Sequence, residues 1–110
     1  MKAAQTLQKA LRLLERGQWN SALEELRLAI HYAGRENDLI TEVQARVALG
    51  GALLSAPFAS MQQGSRALPL REARIQLEQA LKLAAGLEDQ DLVRAEVSRA
   101  HELLGALPQT

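Results

Sequence analysis

The chain has no cysteine. That excludes a disulfide framework, a thiolate nucleophile and a Cys-ligated zinc site. It has no net charge either: thirteen basic residues balance thirteen acidic ones. Without a global positive field to hold a phosphate backbone, the chain does not read as a nucleic-acid binder. Long apolar runs are missing as well. The longest, Val47 to Ala59, is interrupted by Gly50, Gly51, Ser55 and Pro57, and a bilayer span needs about 20 residues. No hydrophobic segment follows Lys2, so a secretory leader is not expected and the expected setting is cytoplasmic, away from membranes. Aromatics number one Trp, one Tyr and one Phe. The excess of Arg over Lys, ten against three, reads as coding bias.

What is present is apolar and helix-forming. Hydrophobic residues make up 47% of the chain, too many for a disordered tail. Alanine and leucine alone supply 40 of the 110 residues. The length fits one domain, 1–110. Leu7, Ala10, Leu11 and Leu14 fall at i, i+3, i+4 and i+7, which predicts a first helix over 2–16, stopped by Gly17. Ser21-Ala22-Leu23-Glu24 has the form of a capping box. It opens a second helix whose stripe is Ala22, Leu23, Leu26, Ala29, Ile30 and Ala33, and Gly34 is expected to end it. Asn37 or Asp38 caps a third helix over 39–55, with Ile40, Val43, Val47, Leu49, Leu53 and Leu54 turned inward. Gly50-Gly51 inside that helix signals a close helix–helix approach or a kink, unless the helix stops near residue 49.

Residues 55–68 lose all periodicity and read as a loop, functional or mobile, with Phe58 and Met61 as its apolar members. They either tuck into the domain or meet a partner. Pro69 suits the first turn of a fourth helix carrying Leu70, Ala73, Leu77, Ala80, Leu81 and Ala84 and ended by Gly86. Asp89 or Asp91 caps a fifth, with Leu92, Val93, Val97, Ala100, Leu103, Leu104 and Leu107, and 108–110 form a frayed tail.

The second and fourth helices repeat one spacing, Ala-x3-Leu-x2-Ala-x3-Ala, beginning at Ala22 and at Ala73, an offset of 51 residues. Small residues at those positions let antiparallel helices approach closely while Leu fills the gaps. Gly17-Gln18-Trp19-x2-Ala22-x3-Leu26-x2-Ala29 resembles the second helix of a tetratricopeptide repeat (TPR), whose signature is a Gly followed by Ala-x3-aromatic-x2-Ala. Ile40-x2-Val43-x3-Val47, or Leu49-Gly50-x2-Leu53, stands for that family's first-helix pattern. Three features depart from the family. Leu26 and Leu77 replace its aromatic, Gly regions replace its closing Pro, and 51 exceeds its period of about 34 residues. The resemblance implies an all-α fold: antiparallel helical hairpins stacked as a short TPR-like array of about five helices, the fifth acting as a cap. It also implies a non-catalytic protein–protein interaction module, an adaptor binding a peptide or partner helix in a groove on the first and third helices. By analogy Gln8, Arg12, Gln44 and Arg46 would serve it. The alternative is a self-assembly module, a homodimer.

Catalytic and cofactor chemistry finds no support, and neither a cofactor nor a metal is expected. His31 and His101 lack a His or Asp at helical metal spacing and read as structural residues. Glu24-Glu25 and Glu88-Asp89-x-Asp91 read as helix-start charges. Arg66, Arg71 and Arg74 form either a solvated helix start or a clamp for an acidic partner. Trp19 reads as a staple at the first turn.

Overall fold

In the computed structural model, which describes residues 1–55 and 67–107, the chain is all-α. Five α-helices and one 3₁₀ turn form, and no strand occurs among the described residues. The helices are α1 (Lys2–Glu15), α2 (Trp19–Glu36), α3 (Leu39–Leu53), α4 (Ala67–Ala85) and α5 (Arg94–Ala106), with the 3₁₀ turn at Gln90–Val93 before α5. Tight connections turn α2 back on α1 and α3 back on α2, and α3 also packs along α4. The expected stripes of α2 and α4 are the buried ones. Ala22, Leu26, Ala29 and Ala33 are buried, as are their repeat partners Ala73, Leu77, Ala80 and Ala84. Leu26 and Leu77 are both fully buried, one in each of two core clusters.

The two clusters meet on α3. Ala45, Leu49, Ala52 and Leu53 face the α1–α2 side, while Val43 and Val47 face α4 and α5. No residue from 40 to 55 is fully exposed. A helix wrapped on most sides explains why Thr41, Ala45 and Ala52, outside the expected stripe, are also buried. Gly50 supplies the close approach to α4: a Cβ built there would lie 2.7 Å from Leu77 Cγ. The third helix therefore continues past residue 49, ending at Leu53.

Several expected boundaries are corrected. Gly17 adopts φ +74° and reverses the chain at once, so α2 starts at Trp19 rather than after Ser21. Ser21 lies exposed inside the first turn, and no capping box forms. Gly34 does not stop α2. The helix runs on to Glu36, and Asn37 takes the left-handed conformation (φ 55°) that ends it, with Asp38 N–H returning to the Ala33 carbonyl at 2.9 Å. Asp38 then caps α3, accepting from Thr41 N–H at 3.1 Å and from its hydroxyl at 2.7 Å. Asp89 caps the 3₁₀ turn rather than an α-helix. That turn leaves Leu92, expected in the apolar stripe, 54% exposed while Val93 is buried.

One stabilising contact has no local sequence signal. The Glu36 carboxylate, at the end of α2, accepts from the backbone N–H groups of Lys2 (3.0 Å) and Ala3 (3.4 Å). It thereby satisfies two of the orphan donors that open α1. The Lys2 ammonium lies 5.7 Å from the centroid of the Tyr32 ring, one turn earlier on α2.

Candidate functional site

Helices α1, α3 and α5 present one face of the molecule together. On α1 the i, i+4, i+7 row Leu7, Leu11, Leu14 borders a cleft. On α3 the row is Gln44, Val47, Ala48 and Gly51, continued by Ser55 just past the helix end, and on α5 it is Ala95, Glu96 and Arg99. Residue numbers rise in the same direction on all three, so the helices run parallel along it. The cleft consists of two hollows of about 380 and 320 Å³ that share Leu11, Val47, Ala48 and Arg99. The first carries the polar groups Gln8, Gln44 and Glu96. The second is more apolar, closed by Leu14, Trp19, Gly51 and Ala52. Gly51 keeps it open, since only Leu103 Cδ1, at 3.6 Å, lies near the Cβ position. Trp19 is half-buried there and packs on the α1–α2 core, combining the staple role expected of it with a place in the cleft.

The charges of the cleft are not used internally. Arg99 is exposed, and neither it nor half-buried Glu96, three residues earlier, has an ion pair or hydrogen bond among the described residues. The side-chain amides of Gln8 and Gln44 are likewise without a partner among them.

Of the residues chosen from sequence, Gln8 and Gln44 are brought together at the first hollow. Arg12 is exposed on α1 and borders neither hollow. Arg46 points to the other side of α3. It pairs with Glu42 at 2.9 Å and donates to Gln76 Oε1 at 2.7 Å, tying α3 to α4. Arg71 is exposed and Arg74 half-buried on α4, away from the cleft. Phe58, Met61 and Arg66 lie outside the described residues. Glu96 and Arg99 were missed because α5 was read as a cap. No local signal marked them: the offset of 51 relates the second and fourth helices, and carried onto α3 it would set buried Val43 and Val47 on exposed Arg94 and Ser98.

His31 and His101 are both exposed, and no group of three metal-ligating side chains forms among the described residues. Asp89 and Asp91 work locally: Asp89 accepts from Asp91 N–H, and Asp91 pairs with Arg94. No helix among the described residues is long and apolar enough to cross a membrane. Comparison with known protein families, curated proteins and solved structures finds no match for the chain.

Proposed function

We propose that the chain is a non-catalytic, cytoplasmic protein–protein interaction module of tetratricopeptide-like build, which holds a partner segment in the cleft between α1, α3 and α5. The observation that carries this reading is the cleft's composition. Its apolar line of Leu7, Leu11 and Leu14 is flanked by polar groups, Gln8, Gln44 and Arg99, that find no partner within the described fold. The tetratricopeptide-like build is supported by the matched burial of Ala22, Leu26, Ala29 and Ala33 with Ala73, Leu77, Ala80 and Ala84. In such stacks each hairpin needs its neighbour to bury its face, and one row of helices is left to line a concave surface. A self-assembly role draws on the exposed Leu28, Leu39, Ile75 and Leu92, which sit on four separate elements.

The test is a pull-down with the whole chain and two cleft variants, Ala48→Arg and Gln8→Arg, beside a variant shortened over 57–66. Binding lost in both cleft variants and kept in the shortened one places the partner in the cleft. The reverse result would sink this reading. Light scattering at high concentration separates the two roles, because a monomer counts against self-assembly.

A further inference from the structure

We propose that the outer faces of α2 and α4 pair with the same faces of a second copy of this chain, antiparallel and related by a two-fold axis. This surface is separate from the cleft, and none of its residues borders either hollow.

The two helices lie side by side and run parallel. Arg27 on α2 donates to both carboxylate oxygens of Glu72 on α4, at 2.9 and 3.0 Å. Both helices are antiparallel to α3. The chain turns from α2 into α3 through Asn37, while on α4 Ala73 shares a cluster with Ala52 and Leu53, and Ala84 shares one with Val43. Opposite each buried stripe runs an exposed row, Glu24, Leu28 and Arg35 on α2 and Arg71, Ile75 and Glu78 on α4. Leu28 is 41% exposed and Ile75 56%. The four charges of these rows have no ion pair or hydrogen bond among the described residues.

The rows are self-complementary. Across a two-fold axis, antiparallel helices bring residues equally far before and after the axis face to face, and every contact occurs twice. On α4, Arg71 and Glu78 are centred between residues 74 and 75, beside Ile75. On α2, Glu24 and Arg35 are centred between residues 29 and 30, just past Leu28. These centres are 45 residues apart, the same separation as Arg27 and Glu72, the pair that sets the level of one helix against the other. A single axis therefore serves both helices. It sets Arg71 against Glu78 of the other copy and Glu24 against its Arg35, so that ion pairs surround the Leu28 and Ile75 side chains of both copies. Arg27 and Glu72 neutralise each other between the helices, His31 falls opposite Leu28, and Lys82 is the one outward charge left unmatched.

The size of the surface sets the strength. Helices of 18 and 19 residues are about 27 Å long and about 10 Å wide each. The footprint is roughly 500 Å² per copy and about 1,000 Å² in all, at the lower edge of specific interfaces. The pairing is therefore weak and reversible, and it leaves both clefts uncovered.

The experiment is sedimentation velocity on the whole chain from about 10 μM to 1 mM, which brackets a weak association. The mass should rise reversibly from monomer to dimer. Ile75→Asp should remain monomeric with unchanged far-UV circular dichroism, since the substitution lies on the surface. Arg71→Glu or Glu78→Arg alone turns two attractions into two repulsions and should weaken the dimer by about ten-fold or more. Mixing these two variants should restore it, because each then meets the opposite charge at both contacts. Combining the two substitutions in one chain should restore it as well. High salt should shrink all these differences. A chain still monomeric at about 1 mM, a dimer indifferent to Ile75→Asp or to the charge reversals, or reversals not rescued by mixing would overturn this proposal. None of these results bears on the cleft reading, whose pull-down variants lie on another surface.

Discussion

Adjacent glycines in the middle of α3 should respond in opposite directions to the same substitution. Glycine in a helix interior costs about 1 kcal/mol relative to alanine, so either Gly→Ala change carries the same local gain. The packing differs. At Gly50 the new Cβ would lie 2.7 Å from Leu77 Cγ and 2.8 Å from its Cδ2, where carbon atoms settle at about 3.5–4.0 Å. Leu77 is 0% exposed, and Cγ is a branch carbon that moves only with the whole side chain. About 1 Å of separation must come from α3 and α4 moving apart, and overpacking of this kind costs about 1–3 kcal/mol. Gly50→Ala should therefore lose about 1–2 kcal/mol net, from the upper part of that range. At Gly51 the nearest atom is Leu103 Cδ1 at 3.6 Å, an ordinary contact, so Gly51→Ala should gain about 0.5–1 kcal/mol. Urea unfolding followed by far-UV circular dichroism reads the gap between the variants as about 1.5–3 kcal/mol. Thermal unfolding reads it as about 6–12 °C, at roughly 4 °C per kcal/mol for a chain this size. Leu77→Ala alone should cost about 2–5 kcal/mol. Combined with Gly50→Ala it should cost at least about 1 kcal/mol less than the sum of the two, because the new methyl enters vacated space. If Gly50→Ala is as stable as Gly51→Ala, the α3–α4 approach is not set by the absence of a side chain at residue 50.

Two further stability tests bear on how the helices are tied together. Glu36→Ala should lose about 1 kcal/mol, the usual worth of a helix cap, with faster amide exchange at Lys2 and Ala3. Unchanged exchange there would show that α1 opens without its distant cap. Removing Arg27–Glu72, the 2.9 Å pair linking α2 to α4, should cost under about 1 kcal/mol and less in high salt, since both side chains are a third or more exposed. A salt-independent loss of more than about 2 kcal/mol would contradict that.

Helix number, the repeated stripe and a cap at Asn37 or Asp38 were legible because each is written locally. Period and side-chain size placed Leu26 and Leu77 inside, and an acidic residue before an apolar run marked a helix start. The errors share a different cause. Ser21 has the chemistry of a cap, yet the left-handed Gly17 restarts the helix before it is reached. Gly34 has the chemistry of a stop, yet α2 continues to Glu36, whose carboxylate is engaged 34 residues back along the chain. The burial of Ala45 and Ala52 depends on how many neighbours surround α3, which periodicity along one helix does not count. For the cleft, Gln8 and Gln44 came from the analogy with tetratricopeptide grooves, which sets the first and third helices on one face. Arg46 did not, because helix rotation is set by tertiary contacts, here the hydrogen bond to Gln76 on α4.

The position of α3 between two clusters also determines how the cleft deforms. Eight residues of α3 are buried, against three of α1 and one of α5. The mechanical compliance of the site should therefore be uneven: stiff along α3 and soft along the two outer helices. A partner too large for the resting cleft would be accommodated by outward displacement of α1 or α5. Both ends of α1 are held, by Glu36 at its start and by the Gly17 turn and Trp19 at its end, so the softest wall is α5, whose Arg99 borders both hollows. The side chains best tolerated there would differ in bulk, whereas the spacing of contacts along the cleft would stay fixed by α3.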